Sequence, residues 1–140
     1  MISRKAFTLV ELIVVIALFA VIISLSAPVL ISQLYRNSAH ETAEQLSSVL
    51  FSQQQKALSG ENTTHEISFQ TNLYTIETET IFLPPGTSIK WVNLSDGGSR
   101  IRFNPGSLFP QAHGVISIAS ANDEYQVKIS KIGLIEVTHI

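Results

Sequence analysis

Two periodicities divide the chain. From Leu12 to Tyr35 it runs for 24 residues without a charge. That is long enough to span a bilayer, whose hydrocarbon core takes roughly 20 apolar helical residues. Beyond this run, Ala39, Ala43, Leu46, Leu50 and Ala57 recur at spacings of four, three, four and seven, a helical stripe. Glu41, Glu44, Gln45, Ser47, Gln53, Gln54 and Lys56 fill the other faces. Ser59-Gly60 supplies a stop, with Gly60 as a left-handed cap. The pattern predicts one helix from about Thr8 to Leu58, transmembrane over 7–35 and amphipathic over 36–59. Pro28 lacks the N–H of an intrahelical bond and predicts a break or kink there. At ~1.5 Å per residue the whole helix is about 75 Å long.

After Gly60 the period becomes two. Ile67 and Phe69 alternate with polar residues over His65–Gln70, Thr71-Asn72 turns, and Tyr74 and Ile76 continue, which reads as a hairpin. Leu83-Pro84-Pro85-Gly86 is a loop. Ile89 and Trp91 begin a further strand, with Trp91 as a core anchor, and Asp96-Gly97-Gly98-Ser99 reads as a hairpin turn. Ile101 and Phe103 alternate with Arg100 and Arg102 before the turn Asn104-Pro105-Gly106. Ile116 and Ile118, then Tyr125, Val127 and Ile129, then Ile135 and Val137 mark the last strands, with Lys131-Ile132-Gly133 as a tight turn. The fold class predicted is α+β: a long N-terminal transmembrane–amphipathic helix followed by a small antiparallel β-sandwich of seven or eight short strands over 60–140. The stripe at 39–57 is the natural cover for one sheet face.

Composition narrows the chemistry. There is no cysteine, which excludes disulfides, thiolate metal sites and cysteine nucleophiles. The four histidines, His40, His65, His113 and His139, show no metal-ligand spacing and read as isolated surface residues. No nucleophile–base arrangement and no phosphate-binding loop is present, so neither an enzyme nor a cofactor is expected. The formal charge of −2 gives no support for strong polyanion binding. One local exception is the pair Arg100 and Arg102 on a single strand face, with Lys90 as a neighbour in view; a DNA contact or the capture of a secreted substrate there is an alternative expectation.

The apolar run carries a charge at one point, Glu11. An unpaired carboxylate at the centre of a bilayer costs ~2.5–3.5 kcal/mol on insertion scales, so an intramembrane Glu marks a functional site and calls for a partner. Arg4 and Lys5 lie just upstream and place that end on the cytoplasmic side. A cut between Ala6 and Phe7 would create an α-amine four residues from Glu11, with a reference pKa of ~7.7–8.0. Loss of Arg4 and Lys5 would take the side-chain charge from −2 to −4. The competing reading is a secretory signal cut after Ser24-Leu25-Ser26, before Ala27; a Glu at the start of the apolar stretch speaks against it.

Lys5-Ala6-Phe7-Thr8-Leu9-Val10-Glu11-Leu12 resembles the prepilin signal of type IV pilins and type II secretion pseudopilins. The resemblance implies a leader of residues 1–6, cut by prepilin peptidase between Ala6 and Phe7, and methylation of the new Phe7 amine. It implies that Glu11 pairs with the amine of an adjacent subunit during filament assembly, and that Pro28 loosens the helix. Ala6 stands where the family usually has Gly. Ile101–Gly106, Gly114–Ile118, Tyr125–Ser130 and Gly133–Val137 further resemble the H-type minor pseudopilin domain. That domain is similar to the H subunit of type II secretion, to T- and U-type minor pilins and to a competence minor pilin. The implied partners are other major and minor pilins or pseudopilins, prepilin peptidase, an inner-membrane assembly platform and membrane lipid. The implied topology is single-pass in the bacterial cytoplasmic membrane, with the C-terminal domain outside.

Overall fold

A computed structural model describes residues 9–60, 65–121 and 123–140, without the side chains of 25–37. The chain divides into two compact units, the second being Tyr35–Ile140. Helix α1 (Leu9–Leu58) contributes to both. Its helical assignment runs through Pro28. In the first unit the described side chains, residues 9–24, are all exposed. Among the described residues no helix is long and apolar enough to cross a membrane; the transmembrane expectation over 7–35 falls partly outside them.

In the second unit α1 buries the stripe read from its spacing: Ala39, Ala43, Leu46, Leu50 and Ala57 are all fully buried. Gly60 ends the helix at φ +82°, the left-handed conformation in which glycine carries no Cβ penalty. Its N–H donates to the Ala57 carbonyl at 3.3 Å. Thr42, Gln53 and Gln54 are also buried, which corrects the assignment of both glutamines to the outer faces. Each of these three side chains has a hydrogen-bond partner, the condition for tolerating burial. Thr42 Oγ1 donates to the Ser38 carbonyl at 2.6 Å, and the glutamines tie α1 to the β-rich part as described below.

Among the described residues eight strands follow: β1 (His65–Gln70), β2 (Leu73–Ile76), β3 (Glu79–Phe82), β4 (Ser88–Leu94), β5 (Arg100–Phe103), β6 (Gly114–Ala119), β7 (Glu124–Ile129) and β8 (Ile135–His139). They form two four-stranded sheets, β3-β2-β1-β5 and β4-β6-β7-β8, with every pairing antiparallel. In the first sheet Ile67 stands opposite both Ile76 and Ile101. In the second, Ile116 faces Val92 and Val127. Inward residues of both sheets join Leu46 and Leu50 in one core that includes Phe69, Tyr74, Phe103 and Ile129. The fold is thus α+β with antiparallel sheets.

Three local features depart from the sequence expectation. β3 was not anticipated; with Glu79, Thr80 and Phe82 exposed, this edge strand lacks a buried alternation. Asp96–Ser99 is not a hairpin turn: it joins β4 to β5, which lie in different sheets. Trp91 is not a core anchor but is 37% exposed. The register slips between Ile89 and Trp91, a bulge that inserts Lys90 and reverses the facing of the residues beyond it. Ile89 and Leu94 are therefore both buried although five positions separate them.

Candidate functional site

The N-terminal site rests on Glu11. It lies in the first turn of α1, where the helix macrodipole favours an anionic side chain. Around it Leu9, Val10, Leu12, Ile13, Ile16, Phe19 and Ile23 present large apolar surface, each at least 56% exposed. Contiguous apolar exposure of this kind marks contact with lipid or protein. Ala6 and Phe7, the expected cleavage and methylation positions, lie outside the described residues.

The β-rich part brings together a buried cluster that sequence reading missed. His65 is only 1% exposed, so it is not a surface histidine. Its Nδ1 lies 3.1 Å from Gln53 Oε1 on α1 and 2.9 Å from Glu77 Oε1 in the β2–β3 turn. Both neighbours are acceptors, so Nδ1 carries the proton and donates to them. Glu77 adopts φ +53°, a conformation that non-glycine residues visit at a cost. The signal for His65 was legible in parity: it alternates with Ile67 and Phe69 on β1, and all three are buried. Nearby, burial pushes the Tyr74 hydroxyl above its usual range, with the Glu79 charge adding to the effect.

Gln54 performs a second tie. Its Nε2 donates to the Leu108 carbonyl at 2.7 Å and the Gly133 carbonyl at 3.0 Å. Gly133 has φ +83°, and a Cβ there would meet Gln54 Nε2 at 2.3 Å and the Leu108 carbonyl at 2.5 Å. Only glycine fits this turn.

Arg100 and Arg102 share the outward face of β5, as expected, but they are not free cations. Both bind Glu66 on β1. Arg102 Nε donates to Glu66 Oε2, and Arg100 Nη1 lies 3.4 Å from Oε1. The register makes this unavoidable, since Arg102 is directly opposite Glu66. Lys90 does not join them; it belongs to the second sheet and donates to Glu124 Oε2 at 2.5 Å. The Lys90 bond, then one from Ser117, holds the Glu124 carboxyl below the usual carboxylate range. Among the described residues no group of three or more His, Asp or Glu could hold a metal ion.

Residues 1–27 match the family model described as the Prokaryotic N-terminal methylation motif. No curated protein and no solved structure matches the chain. The chain therefore carries a type IV pilin-like prepilin signal, the substrate pattern of prepilin peptidase and N-terminal methylation. The α+β architecture with antiparallel sheets fits a pilin-like protein.

Proposed function

We propose that this chain is a minor pseudopilin of the H type. In this reading prepilin peptidase cuts between Ala6 and Phe7, the Phe7 amine is methylated, and the mature protein enters a type IV pilus-like filament at or near its tip. Such a filament would be a type II secretion pseudopilus or a competence pilus. The carrying observation is the methylation motif over 1–27, with Glu11 held in the first turn of an exposed apolar helical run. The new amine would stand four residues from Glu11, and pairing the two across subunits removes the cost of an isolated charge in lipid. The apolar surface from Leu9 to Ile23 then meets lipid before assembly and other pilin helices after it. The β-rich part, sharing its core with the second half of α1, lies outside the membrane. The H-type assignment is supported by the Gly-started strand β6 and the closing strands β7 and β8 around Gly133.

Intact mass of the protein purified from its membrane tests the processing. The expected species begins at Phe7, has 134 residues (140 minus 6) and carries one methyl group. A 140-residue chain, or one beginning at Ala27, would sink the proposal. Glu11→Ala should leave membrane insertion intact and deplete the protein from filaments pulled down with other pilins; undiminished incorporation would rule out charge pairing.

A further inference from the structure

Six large apolar side chains stay open on the second unit, around one buried amide. Phe51 and Leu58 on α1, Leu108 and Phe109 between β5 and β6, and Ile132 and Leu134 between β7 and β8 are each 37–70% exposed. Gln54 gathers them. Phe51 stands three positions before it and Leu58 four after, so both are its neighbours on the helix surface. Its Nε2 holds the Leu108 and Gly133 carbonyls, which brings the loop and the turn to the same edge of α1. Backbone bonds fix the arrangement further. The Gly106 N–H donates to the Ala57 carbonyl at 2.7 Å, and the Ser130 N–H donates to the Leu134 carbonyl at 2.9 Å. Connecting segments ordinarily turn polar residues to solvent. These two present leucine, isoleucine and phenylalanine instead.

We infer that this face pairs with the same face of a second copy of the chain about a two-fold axis. With about 200 Å² for a fully exposed large apolar residue, the six side chains offer roughly 600–700 Å². The largest apolar patch of a typical monomer is about 300–600 Å². Two copies would bury roughly 1,200–1,400 Å², which reaches the range of ~1,200–2,000 Å² for stable, specific interfaces. Charge does not oppose this occupant and supplies no handle for a charged one. Across 104–110 and 130–134 the one charged residue is Lys131. Lys56 stands about 200° around the helix from Gln54, in a cleft with Glu77. The loop and turn are already fixed by the bonds to α1, so little ordering entropy opposes the contact. A same-face contact closes at two copies. Pairing involves Tyr35–Ile140 alone and does not depend on entry into a filament.

Full-length protein in detergent micelles, with micelles in excess over protein, tests the pairing. Sedimentation should show a reversible monomer–dimer equilibrium that added sodium chloride does not weaken, since the contact has no charge pair to screen. Phe109→Ser with Ile132→Ser should weaken the dimer at least about tenfold. Phe82→Ser, at the exposed end of β3, should leave it unchanged. The chain has no cysteine, so single-cysteine variants report the geometry. Residues near a two-fold axis meet their own copies; a short bis-maleimide should therefore link Phe109→Cys or Leu134→Cys chains in pairs, but not Phe82→Cys chains. A monomer at every concentration overturns the proposal. So does a dimer untouched by the double substitution, which would place the contact on the apolar stretch of α1, or linkage at Phe82→Cys equal to that at both patch positions. Because the substituted side chains are exposed, far-UV circular dichroism of each variant should match the parent, which separates lost pairing from lost folding.

Discussion

One helix, α1, has two regions with opposite demands. Over Leu9–Ile23 its large apolar side chains lie open, with Phe19 61% and Ile16 59% exposed. Over Ala39–Ala57 its apolar side chains are closed, with Leu46 and Leu50 fully buried. The first region is apolar all round and needs an environment; the second is apolar along a stripe and carries its own cover. Secondary structure alone does not distinguish them. What differs is whether polar residues interrupt the apolar surface often enough for a small β-rich domain to finish the burial.

Truncations on either side of the divide should break the comparison most visibly. Leu46→Ala removes a fully buried side chain and should cost ~2–5 kcal/mol, as core leucines do, seen as a lower melting temperature of the full protein in micelles. Phe19→Ala should leave that transition in place and instead reduce micelle or filament association. A smaller loss is expected from Gln54→Ala. Without the amide, the Leu108 and Gly133 carbonyls lose a shared donor at a buried position, at about 1–3 kcal/mol, measurable by urea unfolding. The weakest effect sharpens the comparison electrostatically. The Glu124 carboxyl is held below its usual 4.5 by Lys90 and Ser117. A lowered folded-state value means stability that is fully present above the unfolded value and lost as pH falls through the folded one. Melting followed from neutral pH to below 4.5 should therefore show a small decline that Lys90→Ala diminishes.

Much of this was legible in residue order. Where one period ruled, expectation and structure agree: the stripe at 39–57, the alternations Ile67/Phe69, Ile101/Phe103 and Ile116/Ile118, and the cap at Gly60. The failures have separate causes. Some came from contacts between elements distant in sequence. Gln53 and Gln54 are polar, and only their bonds to His65, Leu108 and Gly133 make them interior residues. Residue type alone makes His65 a surface residue, whereas its parity with Ile67 places it inside. Trp91 was misplaced because parity does not survive an inserted residue. The Arg100/Arg102 pair was found, but Glu66, 34 and 36 positions away, could be known as its partner only from strand register. The N-terminal motif was readable because its logic is linear: basic residues, a small residue, Phe7, Glu11 and the apolar run.

The order of strands between the sheets has a kinetic consequence. β4 belongs to one sheet but precedes β5, which completes the other, so the two sheets are interleaved along the chain. The first sheet closes only when β5 reaches back across β4 to β1, and the second gains its remaining three strands only after that. The first sheet cannot close before β5 is available, nor the second before β8 is. Native pairings of this span delay folding until nearly all the chain is present. The β-rich part should therefore acquire its structure late and in one cooperative step.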